Sequence, residues 1–229
     1  MSLVDKLIDS VDDIAAEDLR IGKRYTAAKV DGRIGLAYSS GSRKCTEIEA
    51  RKALLRSKDL CKASVGAAVL NALLPPGEYK KLNVFEHILD IAENYRHRYK
   101  KIGVVGRFPF IHELRKINNN VLVFELEPKE GELPATLEDD LLPDCDMVVI
   151  TGASLVNHTL EKLLRLSEGY TLVIGPTTPL SPLLFDYGAH LIAGVRVMDK
   201  RILDIVEKGG GTKDFKTCTE DVIVDLSEL

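Results

Sequence analysis

The sequence holds no C-x-x-C pair, and Cys45, Cys61, Cys145 and Cys218 stand far apart. That spacing speaks against a disulfide scaffold and against a thiolate zinc site. The five histidines form no H-E-x-x-H, because His112-Glu113 lacks the second histidine. No metal site is therefore readable from local spacing. There is no signal peptide and no apolar run long enough to span a bilayer, which predicts a cytoplasmic protein with no membrane partner. A net charge of −4 offers no basic face for nucleic acid. The densest basic cluster, Arg96-His-Arg-Tyr-Lys-Lys101, is short and reads as a solvated helix end or linker.

What is present is ordinary for a globular protein: 229 residues, 45% apolar and 29% charged, enough for one large domain or two small ones. Val4, Leu7, Ile8, Val11 and Ile14 have helical spacing within residues 1–19. Asp31-Gly32 between two alternating runs marks a hairpin. A capping box at Thr46 predicts a helix to about Lys58, and small residues predict another from about Lys62 to Leu74. Asn83 opens a further helix. Residues 1–99 thus read as an α+β domain.

From Lys101 the pattern changes. Short apolar runs begin at Ile102, Val121, Met147, Thr171 and His190, separated by helical or loop segments. Residues 100–229 are therefore predicted to form a Rossmann-like α/β domain with a mostly parallel sheet. In such sheets ligands bind beyond the carboxyl ends of the strands. The run Thr171–Ile174 ends in Gly175-Pro-Thr-Thr-Pro-Leu-Ser-Pro182, whose prolines cannot continue a strand. Ser181 fits a helix cap and Gly188 a helix end. The stiff loop between offers Thr177 and Thr178 as hydrogen-bonding groups.

The other strand ends supply further candidates. Gly106-Arg107-Phe108-Pro109-Phe110 opens a helix, yet it is not G-x-G-x-x-G, which disfavours a dinucleotide pyrophosphate site. Glu127 stands about twenty residues on, where Rossmann-like proteins hold ribose hydroxyls; Glu125 alternates into the strand. Thr151 and Gly152 mark the third strand tip, and one of Ser154 and Asn157 must cap the next helix. There is no G-x-S-x-G elbow, so Ser154 is not read as a nucleophile. Asn71, among small apolar residues, needs a partner for its amide or faces the cleft between the two halves.

These loops, with Leu155-Val-Asn157-His-Thr159 and Ala193-Gly194, resemble the "putative heavy-metal chelation" family, a domain of unknown function. Ala67-Ala-Val-Leu-Asn-Ala72 and the hairpin resemble the domain that precedes it. The resemblance implies an enolase N-terminal-like module, then a Rossmann-like domain, with a cleft between them. It also implies a pterin-, flavin- or siderophore-like molecule bound, and condensed or hydrolysed, in that cleft. The partner expected is thus a small heterocyclic or metal-chelating ligand held by Asn71, Gly106, Arg107, Phe108, Pro109, Glu127, Thr151, Gly152, Asn157, Gly175, Thr177 and Thr178. No residue stands out as an activated nucleophile, and no cofactor or metal is assigned. Two alternatives stay open: a non-catalytic module for a metal chelate or metabolite, and an enzyme using a nucleoside cofactor such as S-adenosylmethionine. A homo-oligomer is compatible with all three.

Overall fold

The computed structural model describes residues 1–39, 49–75 and 79–226. Ser2 caps helix α1 (Leu3–Asp9) by accepting the Asp5 amide on its hydroxyl, and Leu3, Leu7 and Ile8 form the buried face. The helix stops well short of the apolar spacing through Ile14. The acidic pair Asp12-Asp13 would sit against the negative end of its dipole, and the Lys52 ammonium takes the carbonyls of Ile8 and Val11 instead. Strands β1 (Asp18–Ile21), β2 (Tyr25–Val30) and β3 (Arg33–Tyr38) then form an antiparallel meander. Its β2–β3 turn is Asp31-Gly32, both with positive φ (+47° and +74°), as a type I′ hairpin needs.

A 3-10 turn at Lys52–Arg56 stands where the helix from Thr46 was expected, and Thr46 itself lies outside the described residues. Asp59 caps α2 (Leu60–Leu73), which is buried on nearly every side because its residues are small. Gly35 lets β3 lie directly on it: a Cβ there would come within 2.2 Å of the Ala68 carbonyl oxygen. Cys61 on this helix is disulfide-bonded, which the spacing did not announce, though one bonded cysteine is no disulfide scaffold. Cys145 and Cys218 are free and buried.

The second half begins with β4 (Lys80–Lys81) and α3 (Val84–Asn94), the latter capped by Asn83. There follow β5 (Ile102–Val105), α4 (Ile111–Ile117), β6 (Val121–Glu125), β7 (Leu133–Pro134), α5 (Glu138–Leu141) and β8 (Met147–Thr151). Next come α6 (Leu160–Leu166), β9 (Tyr170–Ile174), β10 (Leu191–Val197), α7 (Ile202–Glu207), α8 (Thr212–Phe215) and β11 (Thr219–Asp225). After Gly209-Gly-Gly211 the chain thus goes on into a short helix and a seven-residue strand.

The large sheet has the order β4-β11-β10-β9-β8-β5-β6-β7, parallel from β10 to β7 and antiparallel at β11 and β4. The fold is therefore mixed α/β, with a mostly parallel eight-stranded sheet and a small antiparallel one. Counted from β5, the parallel strands run 3-2-1-4-5-6, the order of the doubly wound nucleotide-binding sheets. Both faces are covered, which explains the unbroken apolar runs. Ile102, Val104, Val149 and Leu172 pack with Val84 and Ile88 of α3 on one face, while Val105, Val148, Ile150 and Val173 share the other core with α2 and α6.

The two halves interlock. β4 and α3 precede residue 99, yet β4 hydrogen-bonds to β11 and α3 packs on the large sheet's core. In the other direction α7 and Phe215 pack on Ala27 and Leu36 of the small sheet. No helix among the described residues is long and apolar enough to cross a membrane.

Candidate functional site

Strand order reverses between β5 and β8, and in sheets of this kind a crevice for ligands opens there. Gly106 leaves β5 with φ of +108°, and a Cβ on it would lie 3.0 Å from Cβ of Thr151 at the end of β8. The loops after β8 and β9 are closer still. A Cβ on Gly152 would stand 2.5 Å from both the amide nitrogen and the hydroxyl of Thr178. Gly175, with φ of +113°, turns the chain off β9, and the Thr178 amide closes the turn by donating to the Gly175 carbonyl at 3.0 Å. Ser181 then caps a 3-10 helix, Pro182–Tyr187, by accepting the Leu183 amide, and Gly188 ends it at φ +105°. The expected cap and stop are both present; the helix is simply the tighter kind.

The proline-flanked loop meets the N-terminal half. The Thr177 hydroxyl oxygen accepts the Tyr38 amide at 2.8 Å, and its carbonyl accepts Nδ2 of Asn71 at 3.1 Å. Asn71 also donates to the Leu36 carbonyl at 2.8 Å. Two polar atoms at this junction are buried without a partner among the described residues: Oδ1 of Asn71 and the hydroxyl of Thr178. They come from opposite halves of the chain. A buried group left so costs about 1–3 kcal/mol, which marks the place as one where another molecule's polar atoms are wanted.

Arg107 is not free to hold an anion. Its guanidinium grips Glu132 through two bonds of 2.8 and 2.7 Å, donates to the Glu127 carbonyl, and stands 3.8 Å from Glu125. The hydrogen bonds from Arg107 hold the Glu132 carboxyl down at about 2. Burial pushes the Glu125 carboxyl the other way, above its ordinary range. Arg107 also feels the charge of Glu127, so three carboxylates act on one guanidinium and leave this strand tip acidic, a poor seat for phosphate.

The remaining candidates are spread unevenly. Phe108 is half-buried and stacks on the buried Phe110, with ring centroids 5.3 Å apart. Pro109 and the Glu127 side chain are exposed. Thr151 accepts the Ala153 amide and caps a 3-10 turn, Gly152–Leu155. Asn157 accepts the Thr159 amide and hydroxyl at 3.2 and 2.7 Å, but the N-cap of α6 is Thr159, with no side-chain cap, so neither Ser154 nor Asn157 caps that helix as expected. His158, at φ +64°, places Nε2 2.8 Å from the Ser57 carbonyl and ties α6 to the N-terminal half. Thr177, Thr178 and Asn71 come together, as do Gly106, Thr151 and Gly152. Sequence reasoning missed Tyr38 and Glu132, and it set Glu125 aside for Glu127 because Glu125 alternates into the strand.

Among the described residues no group of three or more His, Cys, Asp and Glu side chains is placed to hold a metal ion. An uncharacterized protein of Methanocaldococcus jannaschii is 33% identical over 153 residues, covering 62% of this chain and 58% of that protein. The chain thus spans little more than half the length of this curated relative. Two crystal structures, both of proteins with unknown function from the DUF364 family, share the fold. That of Desulfitobacterium hafniense matches with a TM-score of 0.84 at 25% identity, covering 97% of both chains. That of Pyrococcus horikoshii matches at 0.81 and 22%, covering 98% of both. The model of a family described as "Putative heavy-metal chelation" matches residues 4–74, and that of DUF364, described in the same words, matches residues 85–225. The second match alone takes in more than half of the sequence, and the chain belongs to DUF364, the family described as "Putative heavy-metal chelation".

Proposed function

We propose that the protein binds a small, flat, heteroatom-rich molecule where α2 and the end of β3 meet the loops after β5, β8 and β9. The observation that carries this is the pair of buried, unpartnered atoms, Asn71 Oδ1 and Thr178 Oγ1, on residues of the two halves that the Asn71–Thr177 hydrogen bond brings together. An amide oxygen only accepts, whereas a hydroxyl donates or accepts. The complement is a ligand edge with an N–H beside a carbonyl or ring nitrogen, as pterins and flavins carry. The prolines hold the loop rigid, so little ordering cost attends binding. Any part in heavy-metal handling then runs through a chelating organic ligand. Native mass spectrometry of freshly purified protein is expected to show a retained organic mass that Asn71→Ala and Thr178→Val both release. No retained mass, and no calorimetric signal with pterin or riboflavin, would sink the proposal.

The acidic tip favours one further reading. Glu125 ends the strand next to β5, where a carboxylate suits ribose hydroxyls, and its neighbours discourage phosphate. A phosphate-free nucleoside such as S-adenosylmethionine fits that pattern. Heat on titration with S-adenosylmethionine, abolished in Glu125→Gln, supports it; silence from the wild-type protein rejects it.

A further inference from the structure

The opposite edge of the large sheet carries a second feature, independent of the junction just described. A cavity of about 750 Å³ opens between α3, the turn that follows it, and the starts of β9 and β10. Four aromatic rings line it in succession. Tyr95 lies 5.9 Å from Tyr99, Tyr99 stacks on Tyr170 at 5.9 Å and 23°, and Tyr170 lies 5.2 Å from His190. Tyr99 is 6% exposed, Tyr170 and His190 are half-buried and Tyr95 is 47% exposed, so the row opens to solvent at its Tyr95 end. The Tyr170 hydroxyl donates to the Asp225 carboxylate at 3.5 Å, which makes that ring richer in electrons. Asp90 adds a carboxylate from α3.

The protein already shows what these rings attract. The guanidinium carbon of Arg98 stands 5.8 Å from the Tyr99 ring centroid. Among the described residues no ion pair holds Arg98, so the ring face is its partner. An aromatic face flanked by carboxylates is the arrangement that recognises alkylammonium and guanidinium groups. We propose that this tyrosine-lined cavity is a binding site for a small organic cation, and that Arg98 occupies the Tyr99 face when the ligand is away. Ligand and Arg98 then compete for the same ring.

That competition gives the test its sign. Tetramethylammonium chloride is titrated into the protein and followed by the NMR signals of Tyr95, Tyr99 and His190, with sodium chloride at equal ionic strength as control. A saturable shift is expected from tetramethylammonium alone. Tyr95→Ala and Asp90→Asn should each weaken it roughly two- to fivefold, the range of an exposed cation–aromatic contact. Tyr95→Phe, which keeps a ring, should retain binding, and thermal midpoints confirm that each variant is folded. Arg98→Ala should bind tetramethylammonium more tightly, because the resident cation is gone. No saturable shift in the wild-type protein overturns the proposal. So does weaker binding by Arg98→Ala, which would mean that Arg98 supports the cavity and does not compete for it, or a shift that chloride salts share, which would mark an anion site built around Arg98.

Discussion

Asn71 reaches across 106 positions of sequence to donate from Nδ2 to the Thr177 carbonyl at 3.1 Å. The same threonine accepts the Tyr38 amide on its hydroxyl oxygen, so one loop residue latches both α2 and β3 to the large sheet. Thr177→Val keeps the shape but leaves the Tyr38 amide without its acceptor. The expected cost is about 1–3 kcal/mol, read as a lower urea midpoint at unchanged slope. Thr177→Ser should restore most of it. A valine variant as stable as wild type would show that the hydroxyl does not hold the halves together.

Gly152 is expected to tolerate no side chain. Its Cβ would press on Thr178 backbone, which cannot swing aside as a flexible side chain does, and the loops after β8 and β9 would have to part. Gly152→Ala should lose about 1–3 kcal/mol as overpacked sites do. It should also displace Thr178, so NMR shifts around Thr178 and Asn71 must move with it. Changes confined to residues 151–153 would contradict this coupling.

The acidic strand tip predicts a pH signature of definite sign. Glu132 falls from the usual 4.5 to about 2 in the folded protein through its Arg107 hydrogen bonds. A depressed carboxyl adds stability that is present above its unfolded value and is lost as pH falls through the folded one. The stability gap between wild type and Glu132→Gln should therefore be full near neutrality and close between pH 4.5 and about 2. Glu125 runs oppositely. Burial raises its carboxyl, so its charge opposes folding at neutral pH, and Glu125→Gln should be at least as stable as wild type there. A gap for Glu132→Gln that stays constant down to acid would refute the ion pair.

Much of this was legible from residue order. The two-residue turn at Asp31-Gly32, the cap at Ser181 with its stop at Gly188, and the apolar runs of the parallel strands are local signals, and each stands where its chemistry put it. Positions set by distant packing were not legible. Nothing near Arg107 announces Glu132, its partner 25 residues on, and nothing near Tyr38 announces Thr177. The apolar period through Ile14 overstated α1 because Lys52, from another element, takes the carbonyls at its end. Strand β11 hid behind three glycines and short alternation. Asn71 and Thr178 were found as residues, yet their unpartnered atoms belong to the junction and to no local motif.

Cys145 supplies a chemical prediction from the same packing logic. It follows the loop before β8, 2% exposed, with its thiol donating to the Leu141 carbonyl at 3.3 Å. Burial pushes the thiol up to about 11, so at pH 8 the reactive thiolate is scarce and shielded. Iodoacetamide at that pH should leave Cys145 unmodified in the native protein and alkylate it fully in urea, as peptide mass mapping would show. The rate in native buffer should then follow opening of the α5–β8 segment, rising in any variant that loosens it. Rapid native alkylation would mean that the loop opens freely, and that this end of the β8 strand is far less tightly packed than its carboxyl end at Thr151.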